Sequence, residues 1–101
     1  MTINELKSIL ADKLQSEGTY FTKKHIHAAK TKSGFKVVIE DYEHIPFTIH
    51  MEEDDYFGKC VFVQIPGGYE DNSCISFRYS KKEFPLHEAI LSLGYYIGSR
   101  F

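Results

Sequence analysis

The sequence predicts an α+β domain: a helix, a five-stranded antiparallel meander sheet and a second helix, with both helices packed on one face. Three observations carry this. Between Phe35 and Tyr79 four apolar alternations follow one another: Phe35, Val37, Ile39; Phe47, Ile49, Met51; Val61, Val63, Ile65; and Ile75, Phe77, Tyr79. Alternation with period two gives each strand one apolar and one polar face, the pattern of an antiparallel sheet covered on one side. Apolar residues recur at helical spacing at both ends, as Ile3, Leu6, Leu10, Leu14 and as Leu86, Ala89, Ile90, Leu93, Ile97. A chain of 101 residues, 43% hydrophobic, can fill one core but not two, so residues 1–101 read as a single domain.

The elements follow in order. Thr2-Ile-Asn-Glu5 has the form of a capping box, which starts a helix over 3–17 that Gly18 stops. Residues 20–31 alternate weakly and predict a first strand, with His25 and His27 on the same face. Lys32-Ser33-Gly34 has the length and the glycine of a short hairpin connection. Residues 42–46 turn into a third strand at Pro46, which removes a donor where that strand begins. Asp54-Asp55-Tyr56-Phe57-Gly58 and residues 66–73 are further turns, rich in turn-forming residues. Pro85 suits the first turn of the last helix, and Gly94 inside it predicts a close helix crossing.

Composition narrows the function. No apolar run approaches the roughly 20 residues needed to span a bilayer, and Met-Thr-Ile-Asn-Glu has no signal-peptide character. A cytoplasmic protein with no membrane partner is expected. Cys60 and Cys74 fall in consecutive strands, opposite Tyr79 and Ile65 respectively, too far apart for a disulfide, which predicts free thiols. A net charge of −2 argues against a dominant nucleic-acid footprint. The charge is nevertheless blocked: Lys23, Lys24, Lys30, Lys32 and Lys36 precede Glu40, Asp41, Glu43, Glu52, Glu53, Asp54 and Asp55. In a meander the basic hairpin and the acidic loop would share one end of the sheet and partly cancel.

No stretch carries a family signature. His25, His27 and His50 fall on one sheet face but are spread over strands too distant for one zinc ion, so neither metal nor cofactor is expected. Neither cysteine sits at a helix N-terminus or in a cleft, so no enzymatic nucleophile is expected. The expectation is a non-enzymatic protein-binding module, a small regulator or inhibitor that occupies a site on a larger protein. Compact chains of this size without catalytic motifs are common among bacteriophage and mobile-element accessory proteins. Its candidate residues are Tyr56 and Tyr69 in the turns, His50, Phe62 and Arg78 on the sheet face away from the helices, and Glu53, Asp54 and Asp55 in the acidic loop. The alternative is a nucleic-acid-binding domain that uses the basic hairpin 23–36 through its five lysines. Unpaired sheet edges make a homodimer a further expectation.

Overall fold

The computed structural model describes residues 1–41, 44–65, 73–76 and 80–99, with the side chains of 65 and 73–76 excepted. Helix α1 spans Ile3–Ser16 and is capped as its sequence predicts. The Thr2 hydroxyl accepts from the Glu5 amide at 3.1 Å, and the Glu5 carboxylate accepts from the Thr2 amide at 3.3 Å. After Ser16 the chain leaves the helix through Gly18 at φ +88°, a conformation that side chains with a Cβ resist.

The antiparallel sheet is built from β1 (Ile26–Lys30), β2 (Gly34–Glu40), β3 (His44–Asp54) and β4 (Gly58–Ile65), side by side in chain order. A four-residue strand, β5 (Ser73–Ser76), extends it beside β4. Phe77, Tyr79 and most of the expected 66–73 turn lie outside the described residues. Helix α2 spans Leu86–Gly98, with Pro85 at its N-cap rather than inside its first turn.

Register sorts the two faces as the alternation predicts. Ile26, Val37, Ile39, Phe35, Phe47, Ile49, Val61 and Val63 all point to one side, where they join Leu6, Leu10, Leu14, Ile90, Leu93 and Ile97 in a single buried cluster. Both helices therefore pack on the sheet across one core. They also pack on each other, and run in the same direction. A Cβ at Gly94 would stand 2.6 Å from Lys13 Cγ, and one at Gly98 would stand 2.5 Å from Glu17 Cβ. The two glycines, one turn apart, let α1 approach closely at the predicted crossing.

Several expectations are corrected. The first strand is short: residues 23–25 form a 3₁₀ turn, and the strand begins only at Ile26. His25 is thus not on the sheet face; its Nδ1 accepts from the Thr22 amide at 3.0 Å and caps that turn. The third strand begins at His44, two residues before Pro46, and runs on through Glu53 and Asp54. Pro46 is tolerated there because the Met51 amide donates to the Ser33 carbonyl, which by alternation makes Val38–Pro46 a non-hydrogen-bonded pair, so the missing N–H costs the ladder with β2 nothing. The connection between β3 and β4 is accordingly only residues 55–57. Cys74 pairs with Gln64 rather than Ile65, four residues along the ladder from Cys60, about 13 Å of strand and still out of disulfide reach.

Candidate functional site

The described candidates all fall on one hairpin. His50, Glu53 and Asp54 belong to β3, Asp55 and Tyr56 to its tip, and Phe62 to β4. Tyr69 and Arg78 lie outside the described residues, as does Tyr42. Register pairs His50 with Phe62 on the face away from the helices, and Asp54 with Gly58 four residues further out on the same face. A strip about 13 Å long therefore leads from the half-buried His50 and Phe62 to the tip.

The tip is held from three directions. Asp54 Oδ1 accepts from the amides of Tyr56 and Phe57, both at 2.8 Å, which closes the turn with a side chain. The chain returning toward α2 then pairs with its base, Lys59 and Ser80 exchanging backbone bonds of 2.7 and 2.8 Å. Gly58, at φ +100°, lies so close to this segment that a Cβ there would come within 2.6 Å of the Ser80 carbonyl oxygen. From the same segment the Lys81 ammonium donates to the Tyr56 carbonyl and sits 5.9 Å from the Tyr56 ring centre. The result is a fixed backbone beneath two outward rings. Tyr56 is 76% exposed and Phe57 54%, and they meet edge to face at 4.9 Å.

His50 is fixed too. Its Nε2 faces Gln64 Oε1 at 3.2 Å, an atom that only accepts, so Nε2–H donates and the Ser33 hydroxyl closes on Nδ1 at 3.0 Å. Both ring nitrogens are thus engaged in a tie across three neighbouring segments. Cys60, on the same face between Phe62 and Gly58 in register, is buried, with its Sγ 3.8 Å from the Val61 carbonyl. His27 and His44 flank Glu40 at 3.5 and 3.7 Å. Among the described residues no group of three or more His, Cys, Asp or Glu is placed to hold a metal ion, and no helix is long and apolar enough to cross a membrane. An open groove of about 290 Å³ on the outer side of the helices is lined by Ile9, Asp12, Lys13, Ser16, His87 and Leu91.

The basic hairpin does not form one patch. Because β1 starts at Ile26, Lys23 and Lys24 stand at one end of that strand and Lys30 and Lys32 at the other, with Lys36 on β2. Only the Lys32 end shares the end of the sheet that carries the acidic tip.

Two residues of the tip escape sequence reasoning. Phe57 reads as a turn residue, though an Asp three positions before it is a signal that the turn is closed by a side chain and the ring left outside. Lys81 has no local signal, since it reaches the tip only through the Lys59–Ser80 pairing.

Two carboxyls are held below their usual range. Glu5 is lowered first by the Thr2 hydroxyl and then by the Thr2 amide, Asp54 first by the Phe57 amide and then by that of Tyr56. A lowered folded pKa stabilises above the unfolded value, about 4, and that contribution is lost as the pH falls through the folded one. The gap in urea midpoint between the natural chain and Asp54→Ala is therefore expected to be constant from about pH 7 to 5 and to close as the pH drops below about 4. A gap that persists unchanged in acid would show that the Asp54 charge does not hold the turn.

The chain matches no protein-family model, and no curated protein or solved structure shows significant similarity to it.

Proposed function

We propose that the chain is a small non-enzymatic protein-binding module that places the β3–β4 tip into a recess on a larger protein, as a regulator or inhibitor of that protein. The supporting observation is the aromatic pair Tyr56–Phe57, exposed on a backbone that Asp54 and Lys81 hold still. Burying one such ring contributes about 1.5–3 kcal/mol. A tip already ordered loses little further entropy on docking, which is where binding sites concentrate their energy. Glu53 and Asp55 flank the rings, and His50 and Phe62 offer a second contact along the same hairpin. Among the described residues the other exposed tyrosines are less suited: the Tyr20 hydroxyl is committed to Asp41, and Tyr95 projects from α2 with Lys13 over its ring and no second exposed ring beside it.

The test is affinity capture from the native host with the natural chain, with Tyr56→Ala/Phe57→Ala and with Tyr95→Ala as control. The double variant is expected to keep its far-ultraviolet dichroism and melting temperature and to lose at least about tenfold of the captured partner. Tyr95→Ala is expected to behave as the natural chain. Retention of every partner by the double variant removes the tip from the interface.

A further inference from the structure

β1 ends the sheet, and its ladder with β2 fixes which way each backbone group points. The Thr31 amide donates to the Gly34 carbonyl at 2.9 Å, so the pair closing this hairpin is a hydrogen-bonded one. Alternation along an antiparallel ladder then directs His27 and Ala29 toward β2 and turns Ile26, Ala28 and Lys30 outward. The Ile26 amide turns back to the Lys23 carbonyl. Along the edge remain the amides of Ala28 and Lys30 and the carbonyls of Ile26, Ala28 and Lys30, with which no described backbone group pairs.

The side chains around this row select its occupant. Ala28 and Ala29 keep the middle of the strand free of bulk. Lys23 and Lys24 stand exposed at one end, Lys30 and Lys32 at the other, and Lys36 beside Ala29 on β2. Among the described residues none of these five lysines has a carboxylate within ion-pair distance. Two described acids nearby have other partners, Glu40 against His27 and His44 and Asp41 accepting from the Tyr20 hydroxyl. A second copy paired about Ala28 would bring Lys24 against Lys32 of its mate, and like charges facing across strands repel. A nucleic acid would satisfy the lysines but would set its phosphates against outward carbonyls.

We propose that the β1 edge is a second binding site, which takes an extended acidic segment of a partner protein as an added strand. The backbone of that segment supplies the alternating donors and acceptors that the edge lacks, and its carboxylates meet the lysines at both ends. The basic block, which the aromatic tip leaves without a role, is then the specificity element of this edge.

The experiment uses isotope-labelled full chain and three probes: a capped seven-residue peptide alternating Glu and Val, its Lys/Val counterpart, and a single-stranded oligonucleotide. With the Glu peptide, the amides of Ala28 and Lys30 are expected to shift and to gain protection from hydrogen exchange, with affinity falling between about 50 and 200 mM salt. The Lys peptide is expected not to bind. Ala28→Pro removes an outward N–H without touching the bonds to β2 and is expected to weaken the Glu peptide at least about tenfold. Should that variant not fold, Lys30→Glu/Lys32→Glu on the unaltered backbone is expected to give a similar loss. The proposal is overturned by absent or misplaced amide shifts, by equal binding of the two peptides, or by binding of the oligonucleotide alone. It is equally overturned by protection at Ala28 that rises with protein concentration without peptide, which would assign the edge to a second copy.

Discussion

Gly34→Ala is expected to destabilise the fold by about 3 kcal/mol or more, enough that little folded chain survives mild urea. A Cβ at this position would stand 1.8 Å from the Ile49 carbonyl oxygen and 2.9 Å from its carbonyl carbon. Both atoms are backbone in the middle of β3, where Ile49 is paired with Phe35 on one side and Val63 on the other. Neither can retreat without shifting β3 against two neighbours. Gly18→Ala makes the instructive comparison, since a Cβ there meets nothing within 4 Å and the obstacle is only the positive φ. That change is expected to cost about 1 kcal/mol, and Gly18→Asn less, because Asn accepts the left-handed conformation. At position 34 Asn is expected to fare no better than Ala. Urea unfolding of the four variants measures this, and a Gly34→Ala midpoint equal to that of the natural chain would mean that β2 and β3 are further apart than described.

Phe47→Ala is expected to cost about 3–5 kcal/mol, a large share of the roughly 5–15 kcal/mol that holds a domain of this kind folded. The ring is 1% exposed, paired with Val37 in the centre of the sheet. The strand that carries it is held between β2 and β4, so its backbone cannot move in to fill the space left by truncation. Leu93→Ala, on a helix that can settle inward, is expected nearer the lower end of the range of about 2–5 kcal/mol for such changes. Equal losses for the two would indicate that sheet and helices relax alike.

The parts of this fold that were legible in the sequence are those set by short-range rules. Thr2 and Glu5 are three residues apart and make their bonds within one turn, and the apolar alternation carries the faces of β2, β3 and β4 without reference to anything distant. The first strand starts later than alternation suggests because Thr22 and His25 form a cap in which an imidazole takes the place usually held by Glu or Gln, and no pattern rule reads it. Gly34 is legible as a glycine with a purpose, but the local sequence points to the wrong one. It looks like a turn residue after Lys32-Ser33, yet it is the first residue of β2, and what requires it is the passage of Ile49 from the next strand. At the hairpin tip the exposure of Tyr56 and the turn formed by Asp54 follow from residue type and position alone. Lys81 and the Ser80 pairing do not, because they depend on where the chain returns, a non-local fact.

The helix pair has a consequence for how the molecule is made. α1 is the first described element to leave the ribosome and α2 the last, yet the two lie side by side over one core, α1 toward β1 and α2 toward β4. Until Leu86–Gly98 has been synthesised, Val61 and Val63 and the Leu10 flank of α1 lack their cover. A nascent chain therefore carries adhesive apolar surface through most of its translation, and its folding waits for the final turn of α2. A ribosome stalled before Pro85 releases a sticky polypeptide rather than a smaller domain.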